Sequence, residues 1–396
     1  MTKKTSATPV TIIVFLLVLA YGISFTMIGP LMPHLLERYG LNLAEGGTIV
    51  SIQNLSGLIA IIFCGLFGDR LDKKFFVGLS VGLFAVSLLG IGLAPNFPLL
   101  MAIFFVFGIG SRSFDTLSNA LISDLHGDRR PQILNVLHTF FGIGAFLGPL
   151  FVFTLTNAEI SWDKTFLYLG YLTAALFLGY VLIVLSGAKK EVGGKAVKSG
   201  DGIGLASIFT HPRMWILGFI LFIHMGVLGV LITWLPLFAS GSTDAGAFMS
   251  SFALSAFWIG IILSRILVSR LSVRFGEVFM IRWGSLLSLL IFTPALVLGD
   301  AVILTIGTGI MGLFIGFTIP YLMSAGCGWY PDKSAAVTSM LFIFGFISVT
   351  AYPWASGLLG DRYGLIAAMS LVVVSQAVLF GVTWFLPGRE KPVIQD

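Results

Sequence analysis

The sequence predicts an all-α membrane protein: twelve transmembrane helices arranged as two pseudo-symmetric six-helix bundles. Three observations carry this expectation. Nearly all of the 396 residues fall in twelve apolar runs of about 20 to 28 residues, and about 20 helical residues are enough to cross the hydrocarbon core of a bilayer. Charged residues make up 10% of the chain against 57% hydrophobic, at a mean hydropathy of +1.00, whereas soluble domains carry roughly 25% charged residues. The longest connection between runs, Gly187 to about Thr210, follows the sixth run and divides the chain into six plus six.

The runs cover 11–35, 46–69, 74–94, 97–124, 131–157, 164–187, 212–238, 245–271, 277–298, 301–328, 333–359 and 364–387. The first follows Lys3-Lys4 and outruns the about 7 to 15 residues of a signal-peptide core, without a small-residue cleavage site, so it is expected to be an uncleaved span. The domain expectation is a first bundle over 1–187, a linker over 188–211 and a second bundle over 212–396. The linker is rich in glycine and lysine (Lys189, Lys190, Gly193, Gly194, Lys195, Lys198, Gly200). Such a flexible, charged segment suits two halves that move against each other. Trp162, Trp215, Trp283, Trp329 and Trp384 stand near run ends, where amphipathic rings favour the headgroup layer. Cys64 and Cys327 fall inside runs in different halves and carry no information about redox compartment.

A net charge of +5 and a pI near 9.2 invite a nucleic-acid reading, but the placement of the charges gives a better one. With the N-terminus in the cytoplasm, nineteen of the 23 basic residues lie in cytoplasmic tails, loops and span ends. Three lie outside (Arg38, Lys164, Arg362), and Arg112 lies within a span. The positive-inside rule then fixes the orientation. Both termini are expected in the cytoplasm, and the protein in the cytoplasmic (inner) membrane. No partner beyond the lipid bilayer and a small-molecule substrate is implied, and a monomer is expected.

The halves share a signature. Gly65-Leu-Phe-Gly-Asp69-Arg70 after the second run returns as Gly357-Leu-Leu-Gly-Asp361-Arg362 after the eleventh, with a weaker copy, Ser269-Arg270-Leu-Ser-Val273-Arg274-Phe-Gly276, after the eighth. With Lys73 and Lys74 following, and with the six-plus-six layout, the chain resembles the major facilitator superfamily over essentially its full length. That resemblance implies the major facilitator fold and alternating access. It also implies a gating role for Gly65, Asp69, Arg70 and, in the second half, Arg274. In that family the aspartate is thought to meet the N-terminus of helix eleven, the positive end of a helix dipole. Val273 stands at the matching place in the second half, so a one-sided latch is expected.

Polar residues inside the runs decide what is carried. Asp115 is the one acid deep in a span, nine residues before Asp124. An ionised carboxylate there costs on the order of 3 kcal/mol, so it is expected to be paired, to be protonated at times, or to face a water-filled cavity. Arg112 is three residues earlier on the same face, and His138 on helix five sits at matching depth. A proton-coupling cluster of Asp115, Arg112 and His138 is therefore expected, in which separating the arginine from the acid favours proton uptake. Helix four reads Gly108-Ile-Gly110-Ser-Arg-Ser-Phe-Asp115-Thr116-Leu-Ser-Asn119. In its acid, threonine and asparagine this is similar to the fucose:proton symporter branch of the superfamily, and the likeness implies sugar contact or proton coupling for Asp115. Gly29 stands where that branch carries a second acid in helix one, and no proline follows Asn119. On helix five, Gly144-xxx-Gly148-Pro149 resembles part of the motif of drug:proton antiporters.

Substrate contacts are expected where helices one, four, seven and ten line a midplane cavity. The candidates are Tyr21, Asn119, His224 and Tyr321 beside Pro320, with Gln53, Asn54, Trp234 and Trp258 as a second tier. Neutral hydrogen-bonding groups mixed with rings suit a polyol. Arg265 is expected to snorkel to the inner face.

The competing class is an intramembrane enzyme. Gly78-Leu-Ser80-Val-Gly82 is the one hydrolase-like string, and it lies within an apolar run without a strand-turn-helix setting. There is no HExxH, no metal-ligand spacing and no phosphate loop. No enzymatic activity, cofactor or metal is expected. The functional expectation is a secondary-active transporter importing a small polar solute, a sugar first, by proton symport, with sodium as the other candidate ion. Drug or metabolite:proton efflux is the alternative.

Overall fold

The computed structural model of the protein describes residues 7–67, 72–186, 209–241, 247–330 and 333–386. These residues are almost wholly helical. The elements are α1 (Ala7–Tyr39), α2 (Leu43–Phe67), α3 (Lys73–Leu93), α4 (Phe97–His126), α5 (Arg130–Asn157), α6 (Trp162–Leu185), α7 (Pro212–Gly241), α8 (Ala247–Phe275), α9 (Glu277–Leu298), α10 (Ala301–Ile315), α11 (Thr318–Trp329), α12 (Ser334–Tyr363) and α13 (Leu365–Val382). Single turns of 3₁₀ helix follow α4 and α13. Twelve segments are long and apolar enough to cross a membrane, with α10 and α11 together forming the tenth. Every expected run corresponds to a span, and the ends differ by a few residues.

Short polar signals set the helix boundaries. Asn42 and Glu45 cap α2 reciprocally: Glu45 N–H donates to Asn42 Oδ1 at 2.8 Å, and Asn42 N–H donates to Glu45 Oε2 at 2.9 Å. This is a capping-box exchange that satisfies two otherwise orphaned donors. Asp72, Asn96 and Asp300 cap α3, α4 and α10 from one side, their side chains accepting first-turn N–H groups. Between α9 and α10, Gly299 takes a left-handed conformation at φ 65°, which only glycine adopts freely. The tenth span is broken between Ile315 and Thr318. Pro320 has no N–H, so the Gly316 carbonyl loses its helical donor.

The chain forms two compact units, 1–199 and 200–396. The linker expected at 188–211 lies largely outside the described residues. Within the first unit α1 packs on α5, α2 on α4, and α3 on α4 and α6. The second repeats the pattern, with α7 on α12, α8 on α10, and α9 on α10 and α13. The pseudo-symmetry expected from the sequence is therefore one of helix pairing.

Glycines make the closest pairs possible. A Cβ on Gly22 would overlap the Phe141 carbonyl oxygen and approach the Gly144 Cα to 3.0 Å, and one on Gly144 would overlap the Leu19 carbonyl. Thr26 Oγ1 crosses the same seam to donate to the Ala145 carbonyl at 2.9 Å. The helices α1 and α5 thus touch backbone to backbone, the kind of contact that holds membrane helices together where lipid supplies no hydrophobic drive. Gly22→Val should force this seam apart and reduce stability by about 1–3 kcal/mol, seen as a lower thermal midpoint in detergent. Gly65→Ala, with nothing within 4 Å of its added methyl, should leave the midpoint unchanged or slightly raised. Equal loss in both variants would refute the seam.

Candidate functional site

The fourth span carries two half-buried charged side chains, Arg112 and Asp115. Arg112 on α4 donates from Nη1 to the Tyr21 hydroxyl at 2.6 Å and from Nη2 to Asn54 Oδ1 at 3.4 Å. Its guanidinium carbon lies 5.1 Å from the centre of the Phe25 ring and 5.9 Å from that of Tyr21, within cation–π range. One side chain therefore ties α1, α2 and α4 together. The glycine seam between α2 and α4 allows it: a Cβ on Gly57 would come within 2.5 Å of Arg112 Cγ, and one on Gly108 would overlap the Gln53 carbonyl. Tyr21 is 2% exposed. Phe84 and Phe114 stand edge-on to it, and Phe141 lies 5.4 Å away.

Asp115 follows less than one turn later and is half-buried. Its Oδ1 accepts from Asn119 Nδ2 at 3.3 Å, and the same amide donates to the Asp115 backbone carbonyl at 2.8 Å. Arg112 and His138 are the charged neighbours of the carboxylate, so the structure brings the expected trio together. Of the arrangements expected for the acid, a direct hydrogen bond from Arg112 is not the one seen. The side-chain hydrogen bond to the carboxylate comes from Asn119 rather than Arg112, whose fork is directed across to Tyr21 and Asn54. Three positions along a helix leave two side chains about 60° apart, and the acceptors on α1 and α2 lie on the arginine's side. His138 itself is exposed on α5.

The other expected residues spread more widely. Asn54 completes its amide with a bond from Nδ2 to the Val50 carbonyl at 2.9 Å. Gln53 is buried, and its Oε1 has no hydrogen-bond partner. In the second unit His224 is 2% exposed, with Nδ1 unpartnered. Tyr321 stands just beyond the break in the tenth span, in one apolar cluster with Ile220 and Ile223, close to His224 in sequence. Trp258 is buried on α8, edge-on to Phe257. Trp234 is fully buried, and its indole N–H donates to Ser356 Oγ at 2.9 Å and to the Pro353 carbonyl at 3.3 Å. It is committed to holding α7 against α12.

Of the expected gating residues, Gly65 closes α2 with open space around it. Asp69 and Arg70 lie outside the described residues, as does the side chain of Arg274. Next to that motif, Lys73 Nζ meets Asp124 Oδ2 at 2.6 Å and joins the ends of α3 and α4. Sequence reading missed this pair because 51 positions separate its members. It also missed Phe25 and Phe141 around Arg112, since apolar rings in an apolar run give no signal of their own.

Residues 14–320 match the Major Facilitator Superfamily. The chain belongs to this family. An uncharacterised transporter of Sinorhizobium fredii, y4wD, is 22% identical over 83% of this chain and 85% of its own length. Inner membrane transport protein YdiN of Escherichia coli is 20% identical over 91% and 86%. Sodium-dependent glucose transporter 1 of Rattus norvegicus is 30% identical, over 37% of this chain and 29% of that protein. Among solved structures, a bacterial homologue of the human lysosomal transporter Spinster superposes with a TM-score of 0.82 at 14% identity, covering 97% of both chains. The nucleoside transporter NupG superposes at 0.73 and 17% identity, covering 96% of this chain and 98% of that one. At such identities the likeness shows the major facilitator fold. Membership makes this a transporter rather than an enzyme.

Tyr21→Phe removes the hydroxyl that receives Arg112 and keeps the caged ring. A hydrogen bond to a charged group is worth about 1.5–3 kcal/mol, so the variant should fold with a lower thermal midpoint. Asn54→Leu should cost less, because its bond to Arg112 is longer. A Tyr21→Phe midpoint equal to that of the parent would show that the hydroxyl holds nothing.

Proposed function

We propose that this transporter imports a small polar solute, a sugar in the first instance, by alternating access coupled to proton symport through Asp115. The observation that carries the proposal is the Asp115 carboxylate itself. It is half-buried on a span, hydrogen-bonded to the neutral Asn119, and close to two basic side chains that do not hold it by hydrogen bonds. A carboxylate in that setting has a protonated form within reach, as a proton carrier needs. Asn119 sits one turn away, and Tyr21 on α1 and Asn54 and Gln53 on α2 are the other neutral hydrogen-bonding groups proposed from the first unit. The partial match to a sodium-dependent glucose transporter supports a sugar-like solute and keeps sodium as the competing ion. His224 and Tyr321 are the proposed contacts from the second unit. Export of drugs or metabolites has less support, since Gly144 and Gly148 are occupied in packing α5 on α1.

One proton moving through 100 mV supplies about 2.3 kcal/mol, or roughly fiftyfold accumulation at about 1.4 kcal/mol per decade. In vesicles with an imposed pH gradient, Asp115→Asn should abolish uphill uptake while counterflow exchange of the same sugar persists. Undiminished accumulation in that variant would remove Asp115 from the coupling, and uptake driven by a sodium gradient alone would replace the ion.

A further inference from the structure

At one end of the second unit, Arg282 lies outside the machinery proposed above. It sits at the start of α9, and its Nη2 donates to the Thr383 carbonyl at 2.8 Å, which caps the last turn of the final span. Its guanidinium carbon stands 4.0 Å from the centre of the Trp384 ring. Its Nε has no hydrogen-bond partner, and among the described residues no carboxylate neutralises it. Around it runs a ladder of rings: Phe275 to Phe279 at 5.4 Å, Phe279 to Trp283 at 6.0 Å, Trp283 to Phe380 at 6.4 Å and Phe380 to Trp384 at 6.1 Å. Phe275, Phe279, Trp283 and Trp384 are each at least 40% exposed.

The depth of this cluster is fixed by the spans. Arg282 is the fifth residue of the ninth candidate span and Trp384 the second-last of the twelfth. Both therefore stand at the boundary of headgroups and acyl chains, at the same end of the unit, and tryptophan and arginine favour that depth. A cation whose charge is unmatched among the described residues, bordered by exposed apolar rings, has the chemistry of a phospholipid seat. The phosphate meets the guanidinium and the acyl chains lie along the rings.

We propose that Arg282, Trp384 and the ring ladder bind an anionic phospholipid of the leaflet at that end, which positive-inside placement makes the cytoplasmic one. A free phosphate ion would use the guanidinium but leave the rings uncovered, so the occupant is the lipid. Neither Asp115 nor the transported solute enters this reading, and the two proposals fail separately.

The test uses the full chain in nanodiscs of phosphatidylcholine, with or without phosphatidylglycerol. Expected is retention of phosphatidylglycerol in native mass spectra and a rise of about 3 °C or more in thermal midpoint. Both should fall by at least half in Arg282→Gln. Because that change also uncaps the final span, Trp384→Leu keeps the cap and should lose the same lipid response. Arg38→Gln, in the first unit, should keep it. Inorganic phosphate at matched concentration should give no shift. Equal midpoints and equal retention in the two lipid mixtures, or a full response in both Arg282→Gln and Trp384→Leu, would overturn the site. So would a phosphate-ion shift matching that of the lipid.

Discussion

A charge held in hydrocarbon must find its partners inside the protein, and the organisation of the first unit follows from how Arg112 meets that demand. Bilayer hydrocarbon offers no hydrogen bonds at that depth, so an unmatched guanidinium facing it would expel the helix or drag solvent in after it. Here two neighbouring helices supply what water would: a hydroxyl and two ring faces from α1 and an amide oxygen from α2. Asn54 reaches the guanidinium because glycines bring the backbones of α2 and α4 together. The seam between α2 and α4 at Gly57 and Gly108 is thus tied to the charge it surrounds. Widening it would separate Asn54 from Arg112, so packing and electrostatics there are a single property.

The neighbouring acid is treated differently, and the contrast explains why the two residues are not interchangeable parts of a lock. Arginine stays charged under all ordinary conditions and needs permanent acceptors. A carboxyl group can lose its charge, so a weaker arrangement serves it: one amide from its own helix, Asn119, and basic groups nearby without a direct hydrogen bond. A firm fork between Arg112 and Asp115 would have fixed the acid in its ionised form. Directing that fork elsewhere leaves the carboxylate with the Asn119 amide as its side-chain hydrogen-bond donor.

Much of the fold was legible because membrane burial writes itself into composition. Twelve runs gave twelve spans, and caps such as Asn42 with Glu45 or Asp300 after Gly299 mark their ends in plain sequence. What the runs conceal is rotation about each helix axis. A span apolar on all sides gives no sign of which face meets lipid, so Trp234 read as a possible substrate contact when its indole is bonded to Ser356 inside the unit. The same blindness hid the partners of Arg112. Spacing placed Asp115 on its face of α4, but only the approach of α1 and α2 places Tyr21 and Asn54 closer to the fork.

The two units repeat one pattern of helix pairing yet use equivalent positions for different ends. The fourth span is continuous and carries Arg112 and Asp115. The tenth, its counterpart, is neutral and broken between Ile315 and Thr318, where Pro320 withdraws a donor from the Gly316 carbonyl. A Cβ on Gly316 would meet Ser264 at 2.9 Å, and the Ser264 hydroxyl is buried without a partner. An unbroken helix whose charges are satisfied by its neighbours resists bending. A helix with an unmade backbone bond at a proline has a place to kink. Duplication thus supplied the same scaffold twice. The ionisable side chains of the fourth span sit on a continuous helix, whereas the break falls in a tenth span that carries no charged residue.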